Sequence, residues 1–225
     1  FVSRLSARRS ARFQERRTMQ VTRIRALRGP NLWSRNTAIE AIVHCEPNEC
    51  VYSDIAGFEE RVRARFPQIG TLQPHGADQR LSLAHVLEVA CLSLQAQAGC
   101  PVTFSRTHET VETGTFQVAV EYTEEAVGRK AMEYAEALLQ SALADTPFDA
   151  DLAVATLRET DEDERIGPST GAIVDAAVVR GIPFRRLTTG SLVQLGWGSK
   201  ARRIQADELD NSSAVAESIA QDRDL

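Results

Sequence analysis

His85 and Glu88 are the residues whose types and spacing come closest to a catalytic motif. They form H-x-x-E within Leu81–Ala98, where apolar residues recur at helical spacing, so both side chains share one helix face. The inverted zinc motif is H-x-x-E-H, with two histidine ligands and a glutamate base. Val89 stands where the second histidine belongs. We therefore expect a His–Glu pair on the helix surface and no metal; His85 and Glu88 are the candidates should a metal bind.

Arginines at several places could bind carboxylates, because the planar guanidinium donates two parallel hydrogen bonds to a carboxylate. The short segment Gly57–Phe66 holds three arginines. Arg106 is the best single candidate, because it follows the end of an expected strand, Val102–Phe104. The competing interpretation for each is a solvated surface charge. The candidates for anion binding are Arg61, Arg65, Arg106 and Arg129.

A further candidate is Gly167–Thr170, which precedes an expected helix at Ala172–Arg180. Ser169 or Thr170 could cap that helix, while the first N–H groups of the helix face a carboxylate. The simpler interpretation is an N-cap without a ligand.

Short strands and two long helices must position these residues. Strands are indicated at Val21–Leu27, Ala38–Cys45, Val102–Phe104, Thr115–Tyr122, Phe184–Leu187, Leu192–Leu195 and Arg203–Ala206. Helices are indicated at Gly57–Phe66, Leu81–Ala98, Glu124–Leu143, Leu152–Leu157 and Ala172–Arg180, and Ser212 or Ser213 could cap another. The expected fold class is α/β, an α+β arrangement with a mostly antiparallel sheet and helices packed on it. The acidic run Asp161–Glu164 is typical of a linker, which places a domain boundary near Arg165.

The charge is unevenly distributed along the chain. The net charge is −5, but residues 1–18 hold six of the 26 basic residues and one of the 31 acidic ones, which leaves −10 for residues 19–225. A basic arm of this kind could be a transit peptide or a nucleic-acid tail. We expect instead that it is non-native or disordered, because the chain starts with Phe and Met19 directly precedes the first strand. The acidic remainder disfavours nucleic acid as a partner.

The composition also indicates in which cellular compartment the protein is expected. No apolar run approaches the roughly 20 residues of a membrane-spanning helix, so we expect no membrane contact. The four cysteines form no C-x-x-C pair, and the arm lacks the apolar core of a secretory signal. Free thiols in a reducing, cytoplasmic setting are the expectation.

Several segments, in this order and spacing, resemble cyanophycin synthetase. They are Arg25–Ser34, Leu94–Gly99, Phe104–Thr107, Val120–Tyr122 with Glu125 and Gly128-Arg129, Gly167–Thr170, Ser191–Gly198 and Arg203–Ala206. The resemblance implies that residues 19–164 are the N-terminal domain and that residues 165–225 begin an ATP-grasp domain without completing it. Some members of the family carry the full H-x-x-E-H motif, which implies a peptidase-like zinc site in those members.

The chemistry implied by the resemblance is polymerisation of aspartate and arginine. The full-length ligase would use ATP and magnesium to activate carboxylates, and would be a cytoplasmic homo-oligomer. Residues 1–225 would bind and tether the polymer, with no cofactor of their own and no catalysis alone. The residues expected to contact polymer are Ser169, Thr170, Arg106, Arg61, Arg65 and Arg129. The alternatives are part of another ATP-grasp ligase resembling glutathione synthetase, or a non-catalytic assembly domain.

Overall fold

The computed structural model describes residues 19–28, 30–46, 50–73, 82–188, 190–205 and 208–209. The chain divides into two compact units, one reaching to Glu159 and the other starting at Thr160. Thr160, the first residue of the second unit, lies inside a helix and five residues before Arg165, near which the sequence predicts the boundary. The expected last helix near Ser212 lies outside the described residues.

The first unit contains a four-stranded antiparallel sheet in the order β1-β2-β4-β3. Its strands are β1 (Met19–Leu27), β2 (Ala38–Cys45), β3 (Ser105–Glu109) and β4 (Thr115–Glu121). Apolar residues at every second position favour a strand at β4. Phe116, Val118 and Val120 point to one side of the sheet and are buried, as expected from their period of two. β2 is the central partner of β1 and β4, and its bounds match the prediction.

Four helices belong wholly or largely to this unit: α1 (Phe58–Arg65), α2 (Leu83–Ala98), α3 (Glu125–Ala144) and α4 (Ala150–Glu164). α2 begins after Ser82, whose Oγ accepts a hydrogen bond from the His85 N–H at 3.1 Å. It ends at Gly99, whose φ of 101° is a left-handed conformation that favours glycine. α2 and α3 pack against each other and on the sheet. The core is formed by sheet residues such as Ile39 and Val118 with helix residues such as Leu87, Leu94 and Leu138.

The predicted strand Val102–Phe104 is wrong; the strand is β3, three residues later. The N–H groups of Thr103 and Phe104 donate to the carboxylate of Glu121, at 2.8 and 2.9 Å. These bonds take up the N–H groups of Thr103 and Phe104, and regular pairing with β4 starts at Ser105.

The predicted short helix Leu152–Leu157 and acidic linker are also wrong, because α4 runs without interruption through the acidic run. Asp161 is buried and pairs with Arg165 one helical turn later. A carboxylate held by an i,i+4 arginine is compatible with a helix, so the run forms the last turn of α4.

The second unit contains α5 (Pro168–Val179) and an antiparallel sheet in the order β5-β6-β7-β8. The strands are β5 (Phe184–Arg186), β6 (Val193–Leu195), β7 (Arg202–Gln205) and β8 (Glu208–Leu209). A small core of Val174, Val193 and Ile204 joins helix and sheet. The mixed fold class, with antiparallel sheets and helices packed on them, is confirmed. Among the described residues, no helix is long and apolar enough to cross a membrane.

Candidate functional site

The first sheet has two faces of different character. One face packs against α2 and α3, and on β3 it includes Ser105 and Thr107, which bond to a side chain of α2. Successive residues of a strand point to opposite sides, so Arg106 faces the other way. Strand register places Arg25, Glu40 and Arg106 in one row across that other face. We call this surface the polar face; its residues are Arg23, Arg25, Glu40, Arg106 and His108.

Glu40 is the buried anchor of the polar face. Its side chain is 5% exposed and accepts hydrogen bonds from Arg25 and from the indole N–H of Trp33, the latter at 3.0 Å. Burial raises the pKa of Glu40, but the bonds from Arg25 and Trp33 outweigh burial and hold the pKa below its usual range. Glu40 is therefore an ionised carboxylate whose charge is matched by Arg25.

Arg106 has a different environment. It is exposed, and within the described part of the chain it makes no hydrogen bond or ion pair. It lies within β3 rather than beyond a strand end, and it pairs with Ala119 of β4. A small neighbour leaves the guanidinium accessible, so Arg106 can bind an external carboxylate without breaking an internal contact.

Arg61 and Arg65 join α1 to the end of α3. Arg61 Nε donates to the carbonyl of Ala142 at 2.6 Å, and Arg65 Nε donates to the carbonyl of Thr146 at 2.8 Å. Arg65 also pairs with Asp145 at 2.9 Å, and its side chain is only 13% exposed. Cations at a helix C-terminus satisfy its last carbonyls, so both arginines have a structural role that the sequence did not reveal.

Arg129 is part of an ion cluster at the start of α3. Its Nε lies 3.0 Å from one oxygen of Glu125, and the Nε of Arg28 lies 2.8 Å from the other oxygen. Burial raises the pKa of Glu125, but hydrogen bonds from the two arginines outweigh it and lower the pKa below its usual range. Arg129 therefore has an internal carboxylate partner.

The predicted capping role of Ser169 and Thr170 is wrong. The N-cap of α5 is Gly167, and Pro168 occupies the first helical position. Proline suits that position because its missing N–H has no partner there in any helix. Ser169 and Thr170 follow inside the first turn, where Ser169 is exposed and Thr170 is 1% exposed.

His85 and Glu88 are buried, not on the helix surface as the sequence predicted. One Glu88 oxygen accepts from Ser105 at 2.7 Å, and the other accepts from Thr107 at 2.5 Å and lies 3.2 Å from His85 Nδ1. His85 Nε2 is also buried and has no hydrogen-bond partner among the described residues. The network fastens β3 to α2 and thereby fixes the strand that presents Arg106.

These residues do not fit a zinc site of the H-x-x-E-H type. Both Glu88 oxygens are used by Ser105 and Thr107, and Val89 occupies the position of the second histidine. The described ranges hold no group of three or more His, Cys, Asp or Glu side chains that could bind a metal ion. A zinc ion needs at least three protein ligands, so no step is assigned to a metal here.

The six predicted contact residues therefore lie in four places. Arg61 and Arg65 share α1, Arg129 lies on α3, Arg106 lies on β3, and Ser169 with Thr170 starts α5. Sequence analysis missed Glu40 and Trp33 as the centre of the polar face. The signal for that face was the alternation of Arg23 and Arg25 along the first strand.

Comparisons with known proteins identify the family. Residues 41–144 match the cyanophycin synthase-like N-terminal domain. The chain is 33% identical over 221 residues to the cyanophycin synthetases of Trichormus variabilis and of a Nostoc species, which covers 92% of this chain and 24% of each relative. It is 31% identical over 223 residues to that of Geminocystis herdmanii, covering 92% and 25%. The chain spans about a quarter of the length of these relatives, and over residues 41–144 it belongs to the cyanophycin synthase-like N-terminal domain family.

Proposed function

We propose that this chain binds and tethers the aspartate–arginine polymer for a full-length, ATP-dependent ligase. The observation that supports this best is the exposed Arg106 on the polar face, without an internal partner among the described residues. Arg61, Arg65 and Arg129, in contrast, already bond to groups of the chain itself. Arg106 is thus the predicted contact residue that is most available to a ligand.

The chemistry of the polymer suits a surface of mixed sign. Joining the arginine amine to an aspartate side chain leaves the arginine carboxylate and guanidinium free on every unit. Arg106 and Arg23 offer guanidinium groups to the carboxylates. The carboxylate of Glu121, on β4, already accepts hydrogen bonds from Asn36, Thr103 and Phe104, so the exposed arginines carry the charge that this surface offers to a ligand.

A tether raises the rate of repeated additions without taking part in the chemistry. Holding a polymer beside an active site replaces a bimolecular encounter by an intramolecular one, at an effective concentration of about millimolar for a short flexible link. Aspartate, arginine, ATP and magnesium are the substrates and cofactors of the full-length enzyme in this proposal. We further propose a cytoplasmic homo-oligomer that does not bind nucleic acid. Residues 165–225 would begin its ATP-grasp domain and contact polymer through Ser169, which is exposed, whereas Thr170 beside it is buried.

Retention of residues 1–225 on insoluble polymer tests the proposal. Arg106→Ala should weaken retention about fivefold, because it removes one exposed charge-assisted contact. Arg63→Ala is the matched control, since Arg63 is 41% exposed and its ion pair in the described part of the chain is with Glu59, on the surface of α1. Failure of the wild-type chain to be retained, or equal retention of the Arg106 and Arg63 variants, would contradict the proposal.

A further inference from the structure

A groove of about 310 Å³ lies in the first unit, where the ends of α1 and α2 meet α4. Its apolar residues are Val154, which is half-buried, Ala155, which is exposed, and Phe66, which is buried. Its polar residues are Gln68, Gln97, Asp151 and Arg158. This volume is at the lower end of the range for small-molecule sites, and an apolar base with a few polar groups is their usual composition.

The two charged residues are held apart by one helix. Asp151 and Arg158 are seven positions apart on α4, which is two turns, so they share a side of the helix about 10 Å from each other. That separation is too long for an ion pair. The carboxylate of Asp151 makes no hydrogen bond or ion pair among the described residues. Two opposite charges therefore border the same groove without neutralising each other.

Arg158 is oriented by the end of α2. Its Nη2 donates to the backbone carbonyl of Gln97 at 3.2 Å. One bond to a helix-terminal carbonyl restricts the positions of the guanidinium and leaves its other N–H groups to bind a carboxylate. The arginine is thus placed in advance, which lowers the conformational entropy that a ligand must overcome.

The matching ligand carries a carboxylate and a cation at the two ends of a short apolar stem. The carboxylate would bind Arg158, and the cation would bind Asp151. The methylene groups between them would lie on Val154 and Ala155. The amides of Gln68 and Gln97 can bond to a peptide group, which supplies one donor and one acceptor.

We propose that this groove binds a single β-aspartyl-arginine unit, through the carboxylate and the guanidinium of its arginine. The identity of this unit rests on the proposed function, whereas the requirement for two opposite charges rests on Asp151 and Arg158 alone. The groove is a second polymer contact of the first unit, formed by helices and not by the residues of the polar face. Two weak contacts on one chain hold a polymer better than either does alone.

The test is a titration of residues 1–225 with the dipeptide, its aspartate amine acetylated and main-chain carboxyl amidated. Two analogues each lack one charge: citrulline replaces arginine in the first, and an amide replaces the arginine carboxylate in the second. Asp151→Asn should weaken the dipeptide about fivefold and leave the citrulline analogue unchanged. Arg158→Gln should weaken the dipeptide about fivefold and leave the amide analogue unchanged.

Glu159→Gln is the matched control, because Glu159 is an exposed acid beside Arg158. The inference is wrong if the wild type shows no saturable binding up to roughly 10 mM, or if the control weakens the dipeptide as much as Asp151→Asn does. It is also wrong if each variant weakens every ligand equally. If retention on polymer depends on Arg106 but not on Asp151 or Arg158, the proposed function would be supported and the groove inference would be wrong. If each variant weakens the dipeptide but not the analogue that lacks the matching charge, and the chain is not retained on polymer, the result would support the groove and contradict the proposed function.

Discussion

Single side chains on the polar face show how a charge is either used internally or left available. Glu40 is nearly inaccessible and is bonded by Arg25 and Trp33, whereas Arg106 is exposed in the same row. A buried carboxylate stays ionised only when donors compensate for lost hydration. Glu40 therefore stabilises the sheet, and in the proposed function the exposed Arg106 carries the charge that binds a ligand.

Glu40→Gln should flatten the dependence of the unfolding free energy on pH in acid. The folded-state pKa of Glu40 is lowered, so between the two pKa values the unfolded chain binds more protons and stability falls as pH falls. The stabilisation is present above the unfolded-state pKa and is lost as pH drops through the folded one. We expect the wild type to lose about 1 kcal/mol more than the variant between about pH 6 and pH 3.

Chemical denaturation at a series of pH values measures this difference. Glu46→Gln is the control, because Glu46 is an exposed acid directly after β2. Identical pH slopes for the Glu40 variant and the wild type would show that the carboxylate contributes nothing in this range.

At the scale of elements, α3 approaches the sheet closely at a glycine. A Cβ at Gly128 would lie 2.7 Å from the Cβ of Tyr122 and 2.8 Å from the Cγ1 of Ile39, both closer than van der Waals contact. Glycine inside a helix costs about 1 kcal/mol relative to alanine. The close helix–sheet packing offsets that cost, and it seats α3 on β2.

Gly128→Ala should therefore lower the thermal midpoint despite its better helix propensity, with a net loss of about 1–2 kcal/mol from overpacking. Gly171→Ala in α5 is the matched control, since the nearest atom to its Cβ would be the Ile166 carbonyl oxygen at 3.6 Å. That substitution should be neutral or stabilise by up to about 1 kcal/mol. Circular dichroism melts measure both. A Gly128 variant as stable as the wild type would mean that α3 can shift without cost.

At the scale of the whole molecule, the chain covers a quarter of its relatives, and its ligase role is a property that we propose for the complete protein. Amide formation from a carboxylate needs activation, and no phosphate-binding motif of the type G-x-x-x-x-G-K-[ST] occurs in the 225 residues. In our proposal, the ATP-binding residues belong to the part of the complete protein that corresponds to the remaining length of these relatives.

We therefore expect residues 1–225 to incorporate no labelled arginine into polymer when ATP, magnesium and aspartate are supplied. The measurement is acid-precipitable label, with heat-treated chain as the blank and a full-length relative as the positive control. Incorporation above the blank would contradict the assignment of this stretch to binding alone.

Much of the fold could be predicted because its signals are local. Alternation in β4, the apolar residues of β2 and the helical spacing in α2 predicted those elements almost to the residue. The failures at Val102–Phe104 and at the acidic run share one cause. In both places a side chain, Glu121 or Arg165, bonds to the segment and changes which structure is favoured. The pattern of apolar residues along the chain cannot predict hydrogen bonds and ion pairs of these side chains.

The sequence by itself determined the strands, the helices and, through ordered motifs, the family, because each of these depends on residue types and their order along the chain. Only the tertiary structure decided which charges are available. Arg61 and Ala142 are 81 positions apart, and Glu88 and Thr107 are 19 apart, yet each pair is in hydrogen-bond contact. Burial and pairing depend on packing between distant segments, so arginines that look alike in sequence became a helix anchor at Arg61 and an accessible guanidinium at Arg106.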